Sequence, residues 1–360
     1  SRCAAGHKAM FNNTWGGLPA EDFLAKLHPK LGALRARLYK KTYTADIAAG
    51  ELSSEWARKL SLLPGIPVAV GAFDAHLGAV GSGVSPRKLV KIIGTSTCDI
   101  CVWPNDQPLA DIPGVCGIVD GSVLPGYFGI EAGQSAVGDI FNWFVNYLQP
   151  GGARIGSHQA LTKKAARLKP AQSGLLALDW NNGNRTVLVD QRLTGLLLGQ
   201  TLQTKPEEIY LALVEATAFG ALTIINRLEE YGVKITEIIN CGGIAEKNLL
   251  VMQLYADVIG KEMKIARSAQ TCALGAAIAG AVVAGKENGG HESFTAAQSA
   301  MCGLKKKTFK PNAENHKIYQ ELFPLYRQLH NAFGTREWQG RLYNVMKDLL
   351  SLRDKQLEGS

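Results

Sequence analysis

The sequence has few aromatic residues and no complete metal-binding motif, but its overall composition is ordinary for a globular protein and sufficient for a large core and more than one domain. Of its 360 residues, 8% are aromatic and 19% are charged, while 46% are hydrophobic. Cys98 and Cys101 form a single CxxC pair without a second pair or a nearby histidine, so packing within a strand explains them better than zinc does. The seven cysteines are odd in number and widely spread, which argues against a disulfide framework and indicates a reducing compartment.

Long hydrophobic runs and a leader segment are also missing. The most apolar stretch that stands out, residues 272–285, is too short to cross a bilayer and is rich in Ala and Gly, which predicts a tightly packed helix. Because no signal peptide is visible, we expect no membrane partner and a cytoplasmic location. The chain starts at Ser1 without an initiator methionine or a leading turn, which is typical of a segment of a longer protein.

The charge balance is basic but lacks the pattern of a nucleic-acid-binding protein. The formal net charge is +8, and the basic residues are scattered apart from residues 305–307 and the C-terminal tail. No basic stripe is interleaved with aromatic residues, so we expect no nucleic-acid partner. A basic balance also suits a small anionic ligand such as a nucleotide. The 39 glycines favour tight turns and close approach of the backbone to such a ligand.

Strands and helices alternate along most of the chain, which predicts an α/β fold with a domain boundary near residues 84–88. Thr204 is the expected N-cap of the longest helix. We expect strands at residues 68–71, 89–93, 98–103, 115–119, 122–127 and 235–241. We expect helices at residues 75–83, 135–148, 206–228, 248–259, 272–284, 313–333 and 336–352.

A carboxylate follows the first of these strands directly. Asp74 lies in the segment GAFDAH, at the carboxyl end of the strand, which is where open α/β sheets bind ligands. An ordinary helix N-cap is the competing interpretation. In a kinase that acts on an alcohol, a carboxylate at this position would serve as the base near the attacking hydroxyl.

Two glycine-bearing turns are candidates for nucleotide contacts. Residues 94–97 (GTST) form a hairpin tip that offers N–H groups and hydroxyls to a phosphate, although turns favour these residue types anyway. Residues 241–248 (CGGIAEKN) end a strand in two glycines, so a planar ring or a phosphate can approach the backbone. Any tight strand-to-helix connection has the same appearance.

Taken in order, these segments resemble the FGGY family of carbohydrate kinases. Residues 195–215, with Gly195, Leu197 and Gly199 followed by Ala212 and Glu215, are close to the C-terminal signature of that family. The resemblance implies the actin/Hsp70-like (ribonuclease H-like) α/β ATPase fold, with two domains around a deep cleft. It assigns residues 1–85 to the end of the N-terminal sugar-binding domain, 86–290 to a complete C-terminal nucleotide-binding domain and 291–360 to a helical tail.

Four segments are most similar to the ribulokinase branch of the family. They are residues 3–10 (CAAGHKAM), 71–76 (GAFDAH), 129–139 (GIEAGQSAVGD) and 178–185 (LDWNNGNR). The resemblance implies ATP-dependent phosphorylation of L-ribulose. A kinase of the same family for xylulose, gluconate or glycerol is the nearest alternative, and a non-catalytic, actin-like nucleotide-binding module is the second.

The resemblance also implies roles for particular residues. Asp74 would be the general base, and Lys8 and Glu131 would bind the sugar with it, although pairing with surface charges is an alternative for Lys8 and Glu131. His76 stays open between a structural and a catalytic role. The expected ATP-binding residues are Gly94, Thr95 and Ser96 at the phosphates, and Gly242, Gly243, Lys247 and Asn248 around the adenosine.

The implied cofactors are ATP and Mg²⁺, with the ion arriving on the nucleotide because no carboxylate cluster forms a dedicated metal site. Members of the family begin with an Asp-Gly-Thr phosphate loop that this sequence lacks. We therefore expect the isolated chain to be inactive or nearly so. The amphipathic tail helices are candidates for contacts in a homodimer.

Overall fold

The computed structural model describes residues 1–152 and 157–358, which form helices and strands around a six-stranded sheet. The strands are β1 (Ala48–Glu51), β2 (Pro67–Ala69), β3 (Lys88–Ile93), β4 (Thr97–Pro104), β5 (Gly117–Asp120), β6 (Tyr127–Ala132), β7 (Leu176–Leu178), β8 (Leu196–Leu198), β9 (Glu237–Cys241) and β10 (Met263–Ile265). The helices are α1 (Arg2–Ala9), α2 (Glu21–Leu27), α3 (Pro29–Arg35), α4 (Ser54–Leu60), α5 (Asp74–Gly81), α6 (Gly138–Asn142), α7 (His158–Ala165), α8 (Pro206–Glu230), α9 (Gly243–Lys247), α10 (Leu249–Ile259), α11 (Thr271–Ala284), α12 (Phe294–Met301), α13 (Ala313–Gly334) and α14 (Val345–Glu358).

The sheet has the strand order β10-β9-β3-β4-β6-β5 and mixes the two strand directions. β10, β9 and β3 are parallel, while β3, β4, β6 and β5 pair antiparallel. β3 and β4 form a hairpin in which Ile93 pairs with Thr97, and Ile92 of β3 also pairs with Cys241 of β9. Because β3 and β9 run in the same direction, the hairpin tip and the turn after Cys241 lie side by side at the carboxyl ends of these two strands.

The two faces of the sheet are covered by different helices. α8 is almost completely buried in the larger apolar core, together with α10 and α13, while α5 and α11 pack in the smaller core on strands β3 and β4. Within the described residues, α8 is the one helix long and apolar enough to cross a membrane, and 83% of its most apolar window is buried. Such burial is typical of a core helix. Residues 272–285, which stood out as the most apolar stretch of the sequence, instead form most of the shorter helix α11.

α5 and α11 touch through their backbones. A Cβ atom at Gly81 would collide with the carbonyl oxygen of Thr271, and one at Gly275 would collide with the carbonyl oxygen of Leu77. Any residue other than glycine would therefore push the two helices apart. The contact joins the helix that begins at Asp74 to a helix that lies about two hundred residues later in the chain.

The element predictions are confirmed in kind for most segments, with four corrections. Residues 122–127 form a turn rather than a strand, because Gly121 and Gly126 adopt φ of 69° and 80°, and the strand follows as β6. Helix α6 begins at Gly138, three residues after the predicted start, and continues as a π-helical turn over Trp143–Leu148. The last helix begins at Val345 and not at residue 336.

The predicted N-cap of α8 is also wrong. Lys205 is the cap residue, and the carboxylate of Glu208 accepts a hydrogen bond from its N–H at 2.7 Å. The hydroxyl of Thr204 instead accepts from the N–H of Thr201 at 2.8 Å and closes the preceding turn. Pro206 supplies the first helical residue, whose missing N–H would be unpaired in any case.

A chain of buried polar groups connects the hairpin to the C-terminal helices. Lys91 Nζ on β3 donates to both carboxylate oxygens of Asp99 on β4, at 2.8 and 2.9 Å, and to Gln134 Oε1 at 3.3 Å. Gln134 Nε2 donates to Asp179 Oδ2 at 2.7 Å, and the hydroxyl of Tyr326 on α13 donates to Asp179 Oδ1 at 3.2 Å. Burial raises the pKa of Asp179 to about 6, although both hydrogen bonds act in the opposite direction. Because removing one member leaves its partner buried and unpaired, the chain holds these elements in one arrangement.

Glu215 on α8 makes the stability of the fold depend on pH. Its side chain is buried and accepts a hydrogen bond from Tyr319 on α13 at 3.0 Å, and burial raises its pKa to about 8. The folded protein therefore keeps a proton that the unfolded chain loses at its ordinary pKa, so stability falls as the pH rises from about 4.3 towards 8. Glu215→Gln should remove this dependence, and its advantage over the parent chain should grow by on the order of 1 kcal/mol per pH unit. Thermal unfolding midpoints between pH 5 and pH 8 measure the difference.

Glu287→Gln is the matched control, because Glu287 is an exposed glutamate in a short helical turn. Its unfolding midpoint should follow that of the parent chain across the same pH range. A constant difference between the Glu215→Gln variant and the parent at all pH values would contradict the assignment of the proton to Glu215.

Candidate functional site

A cavity of about 1130 Å³ opens at the carboxyl ends of β3 and β9, where the hairpin tip meets the start of α9. Of the predicted nucleotide residues, Gly94, Thr95, Gly243, Lys247 and Asn248 line it. The parallel pairing of β3 with β9 causes this meeting, since it brings together turns that are separated by about 150 residues of chain. The volume is large enough for a nucleotide-sized ligand.

Two of the predicted nucleotide residues support the turns without lining this cavity. Ser96 accepts a hydrogen bond from the N–H of Gly94 at 2.9 Å through its backbone carbonyl and closes the hairpin tip. Gly242 has a φ of 94°, and a Cβ atom there would meet the carbonyl oxygen of Ile93. Asn248 faces the cavity but is also the N-cap of α10, where its Oδ1 accepts from the N–H of Val251 at 3.2 Å.

The cavity wall also contains residues that were not among the predicted nucleotide-binding residues. Asp139 lies at the start of α6, and its backbone N–H donates to the Thr95 carbonyl at 3.1 Å, which holds it beside the hairpin tip. The opposite wall includes Tyr210 of α8 and several residues of α7, a short helix that was not predicted. The glycine-rich segment 129–139 was a usable signal for Asp139, because it ends at that residue.

Lys8 and Glu131 belong to a second cluster, which does not line the 1130 Å³ cavity. Glu131 lies on β6, and its Oε2 is 3.4 Å from His7 Nδ1 and 3.6 Å from His76 Nε2. The two histidines also contact each other, with 3.1 Å between their Nε2 atoms. His7 comes from α1 and His76 from α5, so three distant segments meet at one carboxylate.

The electrostatics of this cluster follow from burial. Burial lowers the pKa of His7 to about 4 and that of His76 to about 3, and the Lys8 ammonium adds to both shifts. Burial raises the pKa of Glu131, while Arg185 and Lys8 act in the opposite direction. Both imidazoles are therefore neutral at pH 7 and can each donate one hydrogen bond and accept another.

Asp74 is exposed at the first position of α5 and is not a conventional N-cap. The cap residue is Phe73, and among the described residues the Asp74 Oδ1 atom accepts only from the N–H of the adjacent Ala75, at 2.8 Å. The ring of Phe73 lies 5.4 Å from Lys8 Nζ, which places Asp74 and Lys8 at the same end of the structure. Asp74 does not line the 1130 Å³ cavity.

Arg185 binds two strand ends near Glu131 and was not singled out from the sequence. Its guanidinium donates to the carbonyl oxygens of Gly133 and Thr97, the first through Nε at 3.2 Å. It thus connects the start of β4 to the end of β6, the strand that carries Glu131. The LDWNNGNR segment ends at this arginine. The motif therefore included the residue, but it did not show which groups the guanidinium would contact.

Comparisons with known proteins agree with this architecture. A model of the FGGY family of carbohydrate kinases, C-terminal domain, matches residues 89–284. The chain is 46% identical to a ribulokinase from Bacillus licheniformis over 99% of this chain and 64% of that protein. It is 47% identical to a ribulokinase from Geobacillus thermodenitrificans over 93% and 60%, respectively. The chain therefore spans less than two thirds of the length of the curated relatives it matches.

Solved structures confirm the predicted fold. A ligand-bound xylulose kinase from Lactobacillus acidophilus superimposes with a TM-score of 0.73 at 20% identity, covering 84% of this chain and 60% of that one. A gluconate kinase from the same organism gives 0.72 at 20% identity, covering 85% and 60%. This likeness confirms the actin/Hsp70-like α/β fold. Because the family model matches more than half of the sequence, the chain belongs to the FGGY family of carbohydrate kinases.

Proposed function

We propose that this chain is the part of an L-ribulose kinase that carries the general base and the nucleotide site. The observation that carries the proposal is the 46–47% identity to ribulokinases over nearly the whole chain. The joint lining of one cavity by the hairpin tip and the glycine turn supports it, because a phosphate site and an adenosine site are then adjacent. The product would be L-ribulose 5-phosphate, an intermediate of L-arabinose breakdown, and the cytoplasm is the location that suits such an enzyme.

In this proposal the sugar binds between Lys8 and Glu131, and its terminal hydroxyl points to Asp74. The Asp74 carboxylate takes the hydroxyl proton while the sugar oxygen forms a bond to the γ-phosphorus. The bond between the γ-phosphorus and the bridging oxygen breaks, and ADP leaves with that oxygen. The open position of the Asp74 carboxylate supports this role, since only one of its oxygens has a partner among the described residues, the adjacent N–H of Ala75.

The nucleotide would lie in the 1130 Å³ cavity. Thr95 would face the terminal phosphates with its N–H group and hydroxyl, and Gly94 would line the same part of the cavity without a side chain. The hydrogen bond from the Gly94 N–H to the Ser96 carbonyl would maintain the tip. Gly243, Lys247 and Asn248 would surround the adenosine, and Gly242 would hold the turn beneath it. Gly243 is exposed and has open space around its Cβ position, so the adenine ring could approach this part of the cavity wall closely.

Mg²⁺ would arrive with the nucleotide. Among the described residues of the cavity wall, Asp139 is the carboxylate nearest to the hairpin tip, so the chain offers one anionic ligand rather than a cage. This donor set fits an ion that keeps several waters and is held mainly by phosphate oxygens. When bound, Mg²⁺ would neutralise charge on the β- and γ-phosphates.

The same proposal retains the three-part division at residues 1–85, 86–290 and 291–360. More than half of the exposed large apolar side chains in the described structure lie between Met10 and Val68. Such a surface needs another part of a domain to cover it. This distribution supports the assignment of residues 1–85 to the end of a sugar-binding domain.

Substrate comparison tests the proposed function. A full-length kinase that contains this chain should release ADP fastest with L-ribulose, with a kcat/KM at least about tenfold above those for D-xylulose, gluconate and glycerol. The isolated chain should show almost no turnover, because it spans less than two thirds of the length of the ribulokinases it matches. A higher kcat/KM for xylulose, or full activity of the isolated chain, would contradict the proposal.

A further inference from the structure

The cluster of His7, His76 and Glu131 has the donor set of a transition-metal site. Two imidazole nitrogens and one carboxylate oxygen are ligands that suit Zn²⁺ and related divalent ions. Their ligand atoms all lie within 4.8 Å of one another, and within the described residues no other group of His, Cys, Asp and Glu meets this condition. The cluster is well ordered by the fold, because α1, α5 and β6 each contribute one member.

Two of the three donor-atom distances are close to those around a tetrahedral ion, whichever ring nitrogen of His7 is the ligand. Zn²⁺ at about 2.0–2.1 Å from each ligand requires donor atoms about 3.3 Å apart. The observed approaches are 3.1 Å between the two Nε2 atoms, 3.4 Å from His7 Nδ1 to Glu131 Oε2 and 3.6 Å from His76 Nε2 to the same oxygen. The first and third distances apply if His7 Nε2 is the ligand, and the second and third apply if it is His7 Nδ1.

The hydrogen bonding of the cluster is incomplete without an ion. The Nδ1 atoms of His7 and His76 are both buried and make no hydrogen bond with any residue that the structure describes. Buried polar atoms without a partner are uncommon and call for a physical explanation. A metal ion on His7 Nδ1 would satisfy one of them directly.

The geometry points to a binding site for one divalent ion of the Zn²⁺ class, with His7, His76 and Glu131 as three protein ligands and a fourth position left for water. Three protein ligands and one exchangeable position distinguish such a site from a closed structural zinc site. Lys8 and Arg185 both act electrostatically on Glu131, and their positive charges oppose a cation. His76 also lacks an outer hydrogen-bond partner, so we expect an affinity in the micromolar range.

If Glu131 also contacts the sugar, the ion and a sugar hydroxyl compete for the same oxygen. This consequence rests on the proposed function and is tested separately from metal binding. Zn²⁺ binding that L-ribulose does not weaken would count against the sugar role of Glu131 and leave the metal site intact.

Calorimetric titration of the purified chain with Zn²⁺, and with Co²⁺ followed by visible absorption, tests the site. The parent chain should bind one equivalent with tetrahedral Co²⁺ absorption. His76→Gln and Glu131→Gln should each weaken binding at least about tenfold, because each removes one ligand. Lys8→Gln should tighten binding several-fold, since it removes a nearby positive charge. His291→Gln is the control and should bind as the parent does.

Circular dichroism and thermal unfolding would establish that each variant is folded. Glu131→Gln has nearly the shape of the parent side chain, so it decides the question if His76→Gln does not fold. Equal affinity of the parent and the Glu131→Gln variant would overturn the assignment. Parent binding no tighter than millimolar, or cobalt absorption of a thiolate complex, would overturn it as well.

Discussion

Asp74→Asn should reduce kcat of a full-length kinase containing this chain by about 10²–10⁴-fold, with little change in the affinity for ATP or L-ribulose. Asparagine has nearly the same shape but accepts no proton at neutral pH, so the attacking hydroxyl loses its base. The exposed carboxylate at the start of α5 makes no ion pair in the described structure, and we therefore expect the fold to tolerate the change. Steady-state kinetics and direct binding of each ligand measure the two quantities independently.

Asp106→Asn is the matched control, because Asp106 is an exposed aspartate in the loop after β4 and lies away from both clusters. Its kcat should equal that of the parent enzyme. A loss of less than about threefold in the Asp74→Asn enzyme would remove the base from the mechanism. Phosphate transfer would then proceed without Asp74, whereas a parent protein that binds both ligands but shows no turnover would favour the non-catalytic, actin-like binding module.

Gly243→Leu should weaken nucleotide binding to the chain by about 10- to 100-fold while leaving its thermal stability nearly unchanged. A Cβ atom at Gly243 meets no other atom within 4 Å, and Gly243 does not adopt a positive φ, so the backbone accepts a residue with a side chain. It would, however, occupy space at the cavity wall where the adenosine is expected, and excess volume in a binding site commonly costs about 1–3 kcal/mol. Calorimetry with ATP or ADP measures the loss.

Gly280→Leu is the control for this experiment. Gly280 also has open space around its Cβ position, but it lies on α11 and does not line the cavity. The two variants therefore add the same side chain to a helix and differ only in location. Equal nucleotide affinities in the two variants would place the adenosine elsewhere.

The local parts of the nucleotide site could be predicted from the sequence, because each is encoded within a few residues. Glycines and hydroxyl residues between two strand patterns predict the hairpin tip, and two glycines between a strand and a helix predict the turn at residues 242–243. Their side-by-side position was not predictable from those patterns. It depends on the parallel pairing of β3 with β9, which are far apart in the chain.

The histidine cluster shows the same limit more sharply. His7 and His76 were visible as single residues near motifs, and Glu131 lay in a segment that resembled a family motif. Their contacts arise only when α1, α5 and β6 pack together, so no spacing along the chain reveals them. The strand error at residues 122–127 has a related cause, since the left-handed glycines on either side turned an apolar run into a loop.

The backbone contact between α5 and α11 also affects the position of Asp74, the first residue of α5. Gly81 lies two helical turns after Asp74, so the crossing is about 10 Å from the carboxylate along the helix axis. At that crossing the two helix backbones are in direct contact, and this contact helps to fix the position of Asp74. A methyl group added at either glycine would therefore push α5 away from α11 and displace the Asp74 carboxylate from a distance.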